Sequence, residues 1–176
     1  MIRLDADYIA TIKQSSAEAD RSEALTQQQI DLIHRRDWLR MLAPRHCGGA
    51  EMPLPNAVRV QEAIARADGS LGWLVTLCAG AGWFGGFLAP EVAREILNAE
   101  NVCLAGSGAP NGTAEIQGDS YLINGRWDYA TGAAIASHFT FNAMVKKDGQ
   151  SVLDNSGAPL MKSFVVPASS VDIIAN

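Results

Sequence analysis

The sequence predicts an α+β chain: an N-terminal all-α helical domain over residues 1–100, then a partial antiparallel β-barrel over residues 101–176. Two observations carry this. Up to Leu97 the apolar residues recur three and four apart, in segments that open on capping residues. From Val102 onward they alternate or form short runs bounded by Gly-, Asn- and Asp-rich turns. The pattern switches at Asn98–Asn101, with no internal repeat and no low-complexity linker.

Within the helical part, Asp5–Ala19 places Tyr8, Ile9 and Ile12 at helical spacing. Thr26 and Gln29 form a capping box that opens a second helix. Its apolar stripe reads Ile30, Ile33, Trp38 and Leu39, and it stops before Pro44. A loop over 44–51 follows. The third helix starts at Pro55, because proline suits a first turn, and runs to Ala67. Its Val58, Val60, Ile64 and Ala65 spread over more than one face and predict burial. Asp68-Gly69-Ser70 breaks the chain with good caps and launches a glycine-rich apolar helix to Phe87. Gly80, Ala81 and Gly82 there suit close approach of another helix or of a flat ligand. Pro90 opens a short helix, Glu91–Leu97.

In the β part, the expected strands are Val102–Ala105, Thr113–Ile116, Tyr121–Asn124, Phe139–Val145, Ser163–Val166 and Val171–Ile174. Gln117-Gly118-Asp119-Ser120 reads as a hairpin turn. Residues 146–160, with Lys-Asp-Gly and Asn-Ser-Gly turns, read as a hairpin excursion.

Composition narrows the function classes. A net charge of −5 leaves no basic stripe for phosphates and argues against a nucleic-acid partner. His34-Arg35-Arg36 reads as a solvated helix face. No window approaches the roughly 18 to 20 apolar residues of a membrane span. The richest, Leu71–Leu88, is interrupted by Gly72, Gly80, Gly82, Gly85 and Gly86. No N-terminal stretch reads as a signal peptide, so a cytoplasmic protein is expected. Cys47, Cys78 and Cys103 are odd in number and lack a C-x-x-C pairing, which indicates neither a disulfide framework nor a metal site. His46-Cys47 invites a nucleophile–base reading, but sequence neighbours rarely face each other and no orienting third group is evident.

The chemistry concentrates in two motifs. Val102–Ala114 (VCLAGSGAPNGTA) and Tyr121–Ala133 (YLINGRWDYATGA) each run from a short apolar strand into a turn of small and hydroxyl residues. Such turns let backbone N–H groups approach a flat or anionic ligand, because glycine lacks the obstructing Cβ. The order of these pieces, with Asn124-Gly125-Arg126-Trp127-Asp128-Tyr129-Ala130-Thr131-Gly132-Ala133, resembles the acyl-CoA dehydrogenase superfamily. The Gly-Arg-Trp-x-Tyr-Ala-Thr-Gly form is closest in style to its two-component, reduced-flavin-dependent monooxygenases.

That resemblance implies a bound flavin, FMN or FAD, with Leu104, Ala105 and Ser107 in the first cradle. Ala105 stands where the dehydrogenases carry a flavin-binding threonine, and Ser107 is the expected substitute. Asn111 takes a phosphate- or ribityl-contacting position, Tyr129 covers the ring and Thr131 places a hydroxyl near N5. Trp127, two residues before Tyr129, is expected on the same strand face, either against the flavin or as a cross-strand aromatic partner. Trp73 reads as a substrate-pocket wall or as core. Arg45 and His46 lie in a loop that resembles the family's Pro-x-x-Gly-Gly turn beside the substrate entrance. His34 and His138 read as structural or surface histidines rather than general bases.

The expected function is a flavin-dependent oxidoreductase, specifically the hydroxylase component that takes reduced flavin from a partner reductase and acts on a small aromatic or apolar substrate. The alternative is an acyl-CoA dehydrogenase, with FAD and α,β-desaturation by a glutamate base. The resemblance implies that this base and the family's C-terminal helical bundle lie outside the sequence, leaving no catalytic base assignable among these residues. The strands are also too few to close a barrel. The chain therefore reads as a fragment, and a non-catalytic fragment is the third reading. A homo-oligomer, tetramer or dimer, is implied for the full-length protein.

Overall fold

The structure, a computed structural model, describes residues 5–174. It divides into two compact units, 1–104 and 105–176, each with its own core.

The first unit is helical. Helix α1 (Ala6–Ser22) is capped by the Asp5 carboxylate. Helix α2 (Gln27–Arg35) opens on the reciprocal Thr26–Gln29 capping box. It ends earlier than the apolar stripe suggests. Asp37 adopts the left-handed conformation (φ 56°), and its carboxylate binds the Arg40 Nε at 2.6 Å. Trp38 and Leu39 therefore lie in a separate 3-10 turn, Trp38–Arg40, although both are buried as the stripe requires.

Helix α3 (Leu54–Ala67) is followed by α4 (Gly69–Gly82), a 3-10 segment Trp83–Phe87 and α5 (Pro90–Leu97). Val58 of α3 is half exposed, so that helix buries one face only, along Ala57, Val60 and Ile64. Ile12, Ile33, Ile64, Leu71 and Leu97, one from each helix, are fully buried. Their removal from water stabilises the unit by about 1.5–3 kcal/mol apiece. Asp68 ties three helices together. Its carboxylate accepts from the Leu71 amide as the N-cap of α4, from Ser16 Oγ of α1 and from Gln29 Nε2 of α2.

The glycines of α4 do not break it. A Cβ on Gly72 would stand 2.5 Å from Ala65 Cα, and one on Gly82 would stand 3.0 Å from the Leu39 carbonyl oxygen. Both are seats for a neighbouring backbone, whereas Gly80 has no neighbour within 4 Å. The sequence reading of an interrupted apolar stretch is thus corrected. Gly69–Phe87 is 19 continuous helical residues, long and apolar enough by length and composition to cross a membrane, with half of that stretch buried inside the unit.

The second unit is a five-stranded sheet in the order β2-β1-β3-β4, with β5 also paired to β3. Strands β1 (Leu104–Gln117) and β2 (Ser120–Gly125) form a hairpin over Gly118-Asp119. Strand β3 (His138–Lys147) pairs antiparallel with β4 (Gln150–Ser151) and β5 (Met161–Pro167). Contacts between β1 and β3 advance in the same direction along both strands, Ala105 with Thr140 and Gly108 with Asn142, so the sheet is mixed. It is also curled. Tyr121 of β2 meets Phe164 of β5 edge-on at 5.3 Å and accepts a hydrogen bond from Lys162 Nζ, although two strands separate them in the pairing order. Ala105, Phe139 and Phe141 form the buried centre of the curl, with Ile123, Trp127 and Phe164 packed against them.

Two expected features differ. Val102–Ala105 and Thr113–Ile116 are not two strands around a turn, because Leu104–Gln117 is one strand. Residues 171–174 form no strand and follow a 3-10 turn, Ala168–Ser170.

Candidate functional site

The small residues of the first motif serve close packing within a strand rather than a turn. A Cβ on Gly106 would run into the Thr140 carbonyl oxygen and hydroxyl of β3. Gly112 and Gly125 face one another across the β1–β2 ladder, and the Trp127 indole lies against both. Leu104 and Ala105 are buried, and the Ala105 carbonyl accepts from Thr140 Oγ1 at 3.3 Å. Those two residues anchor the strand. Ser107 is half-buried, Gly108 has open space where a side chain would stand, and Asn111 is exposed.

The second motif leaves the sheet after Gly125. Residues 126–130 are not strand, so the two-residue alternation expected to bring Trp127 and Tyr129 onto one face does not apply. Trp127 turns into the core, stacks on Phe141 at 4.2 Å and donates from Nε1 to the Asn142 carbonyl at 3.0 Å. Its role is that of the aromatic partner in the sheet. Tyr129 is 91% exposed and takes a left-handed conformation (φ 59°), a costly one for a residue with a Cβ. Immediately beyond it the chain returns to the sheet through one antiparallel bridge, Gly106 with Thr131. That bridge places the Ala105–Ser107 segment beside Thr131. The sequence named both motifs but carried no signal for which residues would meet.

The polar neighbours in β3 were not singled out from the sequence. Thr140 and Asn142 alternate with buried Phe139, Phe141 and Ala143 and bond the backbone of β1. The alternation itself was the legible signal. His138 opens β3 opposite Pro167, with Nδ1 3.1 Å from Ser137 Oγ.

Arg45 and Trp73 belong to the helical unit. Arg45 lies in a 3-10 turn, Arg45–Cys47, where its exposed side chain leaves the loop and its amide donates to Glu51 Oε2. Trp73 on α4 is 62% exposed and so is not core; with Leu77 one turn on, it forms an outward apolar face. His46 is exposed while Cys47 is fully buried, so the two do not form a nucleophile–base pair. Cys78 and Cys103, unrelated in sequence, are hydrogen-bonded to one another. That bond, together with burial, pushes the Cys103 thiol far above its ordinary range. Burial lowers the His34 imidazole below its usual value, with Asp31 and Asp37 opposing, which fits a structural histidine. No cluster of metal-binding side chains occurs among the described residues.

No family model matches the chain. It is 25% identical over 153 residues to the oxygenase subunit HsaA of a flavin-dependent monooxygenase from Rhodococcus jostii, covering 86% of this chain and 40% of that protein. It is 29% identical over 116 residues to an indole-3-acetate monooxygenase from Pseudomonas putida, covering 66% and 30%. It is also 29% identical over 150 residues to a 3-sulfinopropanoyl-CoA desulfinase from Variovorax paradoxus, covering 77% and 37%. Among solved structures, the 3-HSA hydroxylase of Rhodococcus superposes with a TM-score of 0.82 at 22% identity, over 93% of this chain and 42% of that one. FMN-bound TdsC from Paenibacillus superposes with a TM-score of 0.74 at 21% identity, over 92% and 42%. The chain thus spans between three and about four tenths of the length of these proteins. Over that span the chain shares the fold of the solved 3-HSA hydroxylase and TdsC structures.

Proposed function

We propose that this chain forms the helical and first β portion of a reduced-flavin-dependent monooxygenase, the oxygenase component that hydroxylates a small aromatic or apolar substrate. The observation that carries the reading is the Gly106–Thr131 bridge, which sets the two glycine- and hydroxyl-bearing motifs side by side. The relatives support it, since the oxygenase subunit of a flavin-dependent monooxygenase and an indole-3-acetate monooxygenase stand among them.

The residues fit a flavin, FMN or FAD. A flat ring needs an edge without side chains, an aromatic cover and a hydroxyl. Gly108 leaves open space, Tyr129 offers an exposed ring, and Ser107 and Thr131 carry hydroxyls. Bound reduced flavin supplies the electrons that activate dioxygen. Ser107 and the backbone beside it hold the pyrimidine end, while the buried Leu104 and Ala105 fix the strand behind them. Asn111 meets the ribityl or phosphate end. Thr131 would present its hydroxyl toward N5, and the exposed Tyr129 ring would cover the flavin. Trp73 and Arg45 are assigned to substrate contact, as wall and orienting cation. A flavin reductase partner supplies the electrons, the working protein is a cytoplasmic homo-oligomer, and the chain passes from its helical to its β domain near residue 100.

Anaerobic titration of the full chain with reduced FMN and FAD, followed by mixing with oxygenated buffer and an indole-type substrate, tests the reading. Binding of reduced flavin with hydroxylated product is expected, and a Thr131→Ala chain that binds more weakly supports the site. A chain that binds neither flavin refutes it. Acyl-CoA chemistry is the second reading, favoured by the desulfinase relative. Bleaching of tightly held oxidised FAD by an acyl-CoA would establish it instead.

A further inference from the structure

We propose that Asn142 is a positioning residue for the flavin-facing edge of β1, an inference that rests on the flavin reading above. Between Gly106 and Asn111 every residue of β1 is half-buried or exposed, so little apolar packing holds this edge. The Asn142 side chain spans it. Asn142 Nδ2 donates to the Gly108 carbonyl at 2.8 Å, and Asn142 Oδ1 accepts from Ser163 Oγ of β5 at 2.6 Å. The same residue's backbone carbonyl accepts the Trp127 indole proton that anchors the start of the 126–131 loop.

A single residue of β3 therefore couples the cradle strand, the far strand β5 and the loop carrying Tyr129 and Thr131. Chemistry sets the orientation of the amide. The Gly108 carbonyl can only accept, so the NH2 end must face it, while the Ser163 hydroxyl can adapt to the oxygen that remains. Thr140 makes the parallel contact one step back, at a longer 3.3 Å to the Ala105 carbonyl. The Gly108 carbonyl is thereby directed at β3, which leaves the opposite side of a residue with no side chain for a ligand.

Three substitutions in the full chain separate the two bonds. Asn142→Asp keeps the acceptor for Ser163 but sets a carboxylate against the Gly108 carbonyl. Ser163→Ala removes only the other bond. Asn142→Ser is too short to reach Gly108 and serves if the aspartate variant fails to fold. Two quantities are measured: reduced-FMN affinity well below the melting temperature of every variant, and amide hydrogen exchange of residues 104–112 without flavin. The Gly108-breaking variants should bind roughly tenfold more weakly, the worth of one hydrogen bond. They should also exchange faster in that segment, with helical segments unchanged, while Ser163→Ala stays near the native values. Native-like affinity and exchange in Asn142→Asp overturn the positioning role while leaving the flavin reading intact. If the native chain binds neither FMN nor FAD, the flavin reading fails and this role fails with it.

Discussion

Gly125→Ala tests whether the second motif is built around the Trp127 indole. A Cβ at Gly125 would stand 2.6 Å from Gly112 Cα and 2.6 Å from Trp127 Cη2. Ordinary contact begins at 3.4 Å, so the ladder or the indole must give by about 0.8 Å. Neither is the tip of a flexible chain: one obstacle is a paired backbone, and the other is a ring stacked on Phe141. Overpacking of this kind costs about 1–3 kcal/mol. If the indole is displaced, its bond to the Asn142 carbonyl adds about 1 kcal/mol. A total of about 2–4 kcal/mol lowers the melting temperature of a chain this size by roughly 5–15 °C. Circular dichroism melts against Gly108→Ala provide the comparison. Gly108 is also a strand glycine without positive φ, but nothing lies within 4 Å of its added Cβ. That variant should melt like the native chain or gain up to about 1 kcal/mol from a stiffer unfolded state. Equal melting of the two variants would refute the indole-seat argument.

Two further outcomes concern the indole and an exposed turn. Trp127→Phe keeps a ring on Phe141 but deletes the indole donor, so it should cost about 1 kcal/mol in denaturant unfolding, against about 3–5 kcal/mol for Trp127→Ala. At Asp154, hydrogen bonds from the Ser156 hydroxyl and amide hold the carboxyl below its ordinary value. Because the folded pKa is depressed, this contribution is fully present above the unfolded value of about 3.9 and is lost as the pH falls through the lower folded value. Amide shifts of residues 154–158 followed from pH 6 to pH 2 (roughly the carboxylate range) should therefore change late, and Asp154→Asn should remove that titration.

The α-then-β order was legible because its signals are local. The Thr26–Gln29 box, the Asp68 cap and the Gly118-Asp119 turn act over a few residues, and each forms as its spacing dictates. The apolar run Phe139–Val145 likewise marked the strand that became β3. The glycines misled for a physical reason. Glycine permits a turn, a break or a close approach, and only the identity of the approaching atom distinguishes these. Gly106 and Gly112 looked like a loop because Thr140 and Trp127, the groups that need the space, are 15 or more residues away in the chain. Gly72 was likewise read as an interruption, although it seats the backbone of Ala65 in the preceding helix.

For the candidate site, the sequence by itself determined which residue types are available: the hydroxyls of Ser107 and Thr131, the ring of Tyr129 and a strand edge poor in side chains. Tertiary structure alone decided their arrangement. It sent Trp127 inward and Tyr129 outward from neighbouring positions, joined Gly106 to Thr131, and gave the Gly108 carbonyl to Asn142. The Gly106–Thr131 and Gly108–Asn142 pairings join segments distant in the chain, brought together by packing that neither segment's local pattern encodes.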